Sequence, residues 1–133
     1  MKILFAVFCT SLFLTFIFLV GCKDQGTNID STTIPSSNVS YSQYIQPVFD
    51  NKCNNSGCHE DATRAGGLSL TSWANTTSDP GVVFPGEPQN SRLIWAIQNQ
   101  AGINPMPPYG YAALTRNQID GIKTWIQEGA KNN

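Results

Sequence analysis

Histidine is nearly missing from this 133-residue chain, which has one, and charge is sparse: 13% of the residues are charged, and eight basic side chains face nine acidic ones for a net charge of -1. No basic stripe or cluster stands out, which excludes the electrostatic footprint of a nucleic-acid-binding protein. Internal repeats and low-complexity tracts are absent, so solenoids and arrays fall away. The length leaves room for one domain. His59, four cysteines and two methionines are the whole stock of soft ligands.

The apolar share of 41% overstates the core. Residues Ile3 to Val20 form an almost unbroken apolar run behind Lys2 and hold five of the seven phenylalanines. Such a run reads as a secretory leader, to be set aside before any reasoning about fold. Leu19, Val20, Gly21 and Cys22 resemble a bacterial lipobox, in which a lipidated cysteine becomes the mature N-terminus. The expected division is a lipoprotein signal peptide over 1–21, a flexible polar tether over 22–40 and a domain over 41–133. The tether is rich in Ser and Thr and lacks apolar periodicity. The domain is then exported and lipid-anchored, on the periplasmic side of a bacterial membrane or at the cell surface. Loss of the leader removes Lys2 alone among the charges, leaving seven basic residues against nine acidic ones.

Cys9 leaves with the leader and Cys22 is taken by lipid, so Cys53 and Cys58 remain, in the stretch CNNSGCH over 53–59. Two thiols beside an imidazole suit a covalently attached haem: each thiol bonds a vinyl group and His59 ligates the iron. The usual attachment signal is C-x-x-C-H, and this gap is two residues wider. Asn54, Asn55, Ser56 and Gly57 are turn formers, able to loop outward. In an exported compartment the alternatives are a Cys53–Cys58 disulfide or a metal site. As a zinc site, Cys53, Cys58 and His59 fall one ligand short of the usual closed set of four.

The remaining pattern is helical. Ser40 and Gln43 form a capping-box pair ahead of Tyr44, Ile45, Val48 and Phe49, and a helix is expected to run into Cys53, its regular part starting near Gln46 so that Pro47 falls in the first turn. Gly66 and Gly67 mark a sharp turn before a short extended piece at Leu68 to Leu70. Pro88 suits the first position of a second helix, with Leu93, Ile94 and Ile97 as its buried stripe. On that element Arg92 and Trp95 are candidates to hold a haem propionate. Thr115 and Gln118 make another capping box, followed by a face of Ile119, Ile122, Trp125 and Ile126 that Gly129 terminates.

Between the last two helices lies INPMPPYG. Met106 is the only methionine left after the leader, held among Pro105, Pro107 and Pro108. A proline-stiffened loop is a poor place for an adaptable core residue and a good one for presenting a thioether. Met106 is therefore the candidate sixth ligand, since there is no second histidine.

The order of helix, CxnCH motif, Gly-Gly-Leu loop, PGEPQNSRLIW helix, MPP loop and LTRNQIDGIKTWIQEGA helix resembles a class I cytochrome c, and more closely the monohaem cytochrome c-like domains of bacterial exported proteins. The resemblance spans roughly Tyr41 to Ala130. It implies a small all-α fold, with N- and C-terminal helices packed together around one haem c. It also implies thioethers at Cys53 and Cys58 and axial ligation by His59 and Met106. The function it implies is electron transfer with iron cycling between Fe(III) and Fe(II), not catalysis, in a monomer that meets redox partner proteins by transient docking at the haem edge. The alternative is a structural or interaction module with no haem. An intact-mass measurement tests the export reading: lipid on Cys22 is expected, and a retained leader or a bare Cys22 contradicts it.

Overall fold

The computed structural model describes residues 28–133. The leader over 1–21, Cys22 with its lipid and the first part of the tether lie outside the described residues. Within them the chain is helical and contains no strand, in keeping with an all-α fold. Four α-helices carry it: α1 (Gln46–Lys52), α2 (Trp73–Thr76), α3 (Arg92–Ile97) and α4 (Arg116–Gln127).

The approach to α1 is a π-helical turn, Tyr41–Ile45. Ser40 Oγ accepts from the Gln43 N–H at 3.3 Å, and the widened turn places Pro47 in the first turn of α1, where its missing N–H breaks no helical bond. The last residue completes the cap: Asn133 O accepts from the Ser42 N–H at 2.9 Å, and Asn133 Oδ1 from the Tyr41 N–H at 2.8 Å.

α4 is set by its ends. Thr115 and Gln118 form a reciprocal capping box. At the far end Gly129 (φ 97°) donates to Ile126 O and Ala130 donates to Trp125 O, the paired bonds that satisfy the last carbonyls of a helix through a left-handed residue. Ile122, Trp125 and Ile126 are wholly buried, and the Trp125 ring lies 5.1 Å from that of Tyr41. The last helix thus packs on the π-helical turn leading into the first. Truncating a buried aromatic of this size typically costs about 3–5 kcal/mol.

Two expectations from sequence are corrected. The helix expected from Pro88 is two pieces: a 3₁₀ turn, Pro88–Asn90, and then α3. The break falls at Ser91, whose backbone is extended and whose buried hydroxyl accepts from the Phe84 N–H at 2.9 Å and donates to Glu87 O at 3.1 Å. The hydroxyl serves the loop before it, and the helix restarts.

The second correction concerns the tether. From Ile29 onward this segment is docked as a strap along α4. Ile34 and Val39 are buried, the Asn117 amide bonds both the N–H and the carbonyl of Ile34, and the Glu128 carboxylate accepts from the N–H groups of Asn38 and Val39. Asp30 pairs with Lys52 at 2.9 Å and accepts from the Gln118 amide at 3.2 Å. The Lys52 bond holds the Asp30 carboxyl below its ordinary range. A group lowered in this way stabilises the docked strap above its unfolded pKa of about 3.9, and the contribution is lost as pH falls through the lower folded value.

The strap also explains Gly121. A Cβ there would lie 2.6–3.0 Å from three side-chain carbons of Ile34. Gly121→Ala is expected to destabilise by about 1–3 kcal/mol despite the better helix propensity of alanine. Limited proteolysis should show residues 29–40 released, and adding Ile34→Ala should restore part of the loss; a stabilised single variant would contradict the packing.

Candidate cofactor site

α1 delivers Cys53 and then ends, with the Cys53 and Asn54 N–H groups both bonded to Phe49 O at 2.8 and 2.9 Å. The gap to Cys58 closes as a small loop. Cys58 N–H donates to Asn55 O at 2.9 Å, Gly57 takes φ 83°, and His59 N–H returns to Cys53 O at 3.1 Å. Asn55, Ser56 and Gly57 are exposed, as an outward loop requires, whereas Asn54 is half-buried with its side chain turned in. The Glu60 carboxylate steadies the loop through Thr63 Oγ1 at 2.6 Å and Gly57 N at 3.3 Å, and the Thr63 bond lowers its pKa.

His59 is held from behind. Its carbonyl accepts from the Leu70 N–H at 2.9 Å, and Leu68 O lies 3.4 Å from Nδ1. The carbonyl can only accept, so this contact assigns the proton to Nδ1 and leaves the Nε2 lone pair for a ligand bond. Leu68 was not singled out from sequence as a partner; the extended backbone expected for Leu68 to Leu70 was its only trace.

A cavity of about 430 Å³ lies beside these residues, within the size range of cofactor pockets. Cys53, His59 and Met106 all line it, with a mostly apolar wall that includes Leu68, Leu70, Leu93, Ala96 and Ile97. Met106 is held by its N–H, which donates to Ala96 O near the end of α3 at 3.0 Å. A neighbouring hollow of about 110 Å³ shares Cys53, His59 and Met106 and adds Cys58 and Tyr111. Four residues chosen from sequence therefore gather around one groove.

The residues present fit a haem. An imidazole with a free Nε2 and a thioether line one apolar cavity, and Gly66, at φ 65° in its wall, would meet no protein atom with a Cβ. Cys53 and Cys58 are both free thiols. Burial, with the nearby Cys58 adding to it, pushes the Cys53 pKa up to about 12, so this thiol is neutral in the fold. Among the described residues no three His, Cys, Asp or Glu side chains are gathered closely enough to hold a metal ion, so Cys53, Cys58 and His59 do not make a zinc cluster.

Arg92 and Trp95 have partners of their own. Arg92 lines the larger cavity, yet its guanidinium bonds the Asp79 carboxylate at 2.6 Å and Gly81 O at 3.1 Å. The Trp95 indole N–H donates to Gln89 O at 2.7 Å, tying α3 to the turn before it.

Residues 56–110 match the family model described as Planctomycete cytochrome C. That supports a cytochrome c-like domain, and such a domain implies a haem cofactor. The matched stretch contains Cys58, His59 and Met106 and begins three residues after Cys53. No curated protein and no solved structure matches the chain.

Because Cys53 is half-buried and its thiol is held protonated, it should resist alkylation at mildly alkaline pH in haem-free chain and react fully once the chain is unfolded. Rapid labelling of Cys53 in the folded chain would contradict its place in the groove wall.

Proposed function

We propose that this protein is a monohaem c-type cytochrome that carries electrons and is anchored to a membrane by lipid on Cys22. The observation that carries the reading is that His59 and Met106, 47 positions apart in the sequence, line one apolar cavity together with Cys53. Cys53 and Cys58 would hold the haem covalently, and His59 and Met106 would ligate its iron. The haem supplies a one-electron Fe(III)/Fe(II) couple.

The chain's own residues set the conditions for that couple. Leu68 O fixes the ring orientation and tautomer of His59. The Met106 thioether would favour the reduced state and raise the potential relative to a second histidine. The wall of Leu68, Leu70, Leu93 and Ile97 limits water and lowers the local dielectric. Since His59 and Met106 would both be taken up in holding the iron, the protein would do no bond-breaking chemistry and would act as a carrier, not an enzyme. It works as a monomer outside the cytoplasm, and redox partner proteins dock transiently at the open edge of the groove.

Expressed with a c-type maturation system, the protein should be red and its haem should survive acid and organic extraction. Met106→Ala should abolish the weak ferric iron-to-sulfur absorption band and lower the reduction potential. Unchanged spectra would reassign the sixth ligand, and a colourless, zinc-containing product would end the reading.

A further inference from the structure

The gap between the two cysteines is wider than the usual signal, and the residue that begins it is not spare. Asn54 turns its amide inward, where Nδ2 donates to Asp50 Oδ1 at 2.9 Å and to Leu70 O at 3.0 Å. Both partners are acceptors, which fixes the amide with nitrogen inward and leaves Oδ1 buried without a partner. A residue that merely filled a turn would sit in water, as Asn55 does, and carry no such penalty.

The target of this bond is the segment that holds His59. Leu70 receives the Asn54 and Gln46 amides together on its carbonyl, each at 3.0 Å, and gives its N–H to His59 O at 2.9 Å. Two residues earlier, Leu68 O faces Nδ1 at 3.4 Å, the long end of a hydrogen bond, where a small drift of the segment breaks the contact. On its other side Asp61 accepts from the hydroxyls of Ser69 and Thr71, at 2.7 and 2.9 Å.

We infer that Asn54 is a positioning residue for His59: from within the widened motif it completes, with Gln46 of α1, the clamp on the Leu70 carbonyl, so that the Leu68 carbonyl stays on Nδ1 and the imidazole keeps Nε2 directed to its ligand. The inference rests on the haem reading only for what Nε2 binds. The extra residues of the motif then supply a strut, and the widened spacing is part of how the ligand is held.

The experiment follows the Nδ1–H proton of His59 by nitrogen-15 NMR of the full chain labelled at histidine. His59 is the only histidine, so the imidazole signal needs no assignment. The wild-type proton should be present and protected from solvent exchange. Asn54→Asp keeps the shape and removes both donors, and should speed that exchange roughly two- to tenfold, the loss of about one hydrogen bond. Asn55→Asp, an equal charge change in the same gap, should leave it unchanged. Should Asn54→Asp fail to fold, Asn54→Ala is read in its place.

Exchange unaltered in a folded Asn54 variant, or accelerated equally by Asn55→Asp, overturns the inference. A colourless protein in which Asn54→Asp still strips Nδ1 of its protection leaves the positioning role standing and removes the haem. A red protein with unaltered exchange does the reverse.

Discussion

The crossing of the two ends of the domain is the constraint on which the groove depends. Trp125 in α4 lies against Tyr41, and both are buried. Tyr41 begins the turn that becomes α1, and α1 ends on Cys53, so the aromatic contact sets where the first wall of the cavity stands. The other wall hangs on α3, whose Leu93, Ile94 and Ile97 join the same core and whose Ala96 carbonyl holds Met106. Without the crossing, Cys53 and Met106 would have no common frame.

Polar bonding does the finer placement. The apolar core brings the elements together without direction, since burial is roughly proportional to area. Direction comes from backbone groups near the site: His59 N to Cys53 O, Leu70 N to His59 O, Leu68 O to Nδ1 and Met106 N to Ala96 O. The half-buried, neutral Cys53 thiol belongs to the same logic: it packs against the core as a small apolar group in the groove wall.

Much of this was legible in the sequence because the signals were local. The Thr115 and Gln118 capping box, the Ile122, Trp125 and Ile126 face and the Gly129 stop are all read within one helix, and Gln46 proved to be where the regular part of α1 begins. The motif and a lone methionine among prolines located the groove. What was not legible depends on distant partners. Ile34 and Val39 are isolated apolar residues in a polar stretch, and their docking is decided by Asn117 and Glu128, more than eighty positions away. Ser91 breaks a helix because Phe84 and Glu87 engage its hydroxyl. Asn54 reads as a turn former, and only the fold reveals Leu70 beside it.

The measurement that bears most directly on the account is the mass of the proteolytic peptide containing residues 53–59, taken from exported protein under denaturing conditions. One haem bound to that peptide, with neither Cys53 nor Cys58 open to alkylation, is the expected result. A peptide without haem, its two cysteines free or joined to each other, would contradict the account at its centre.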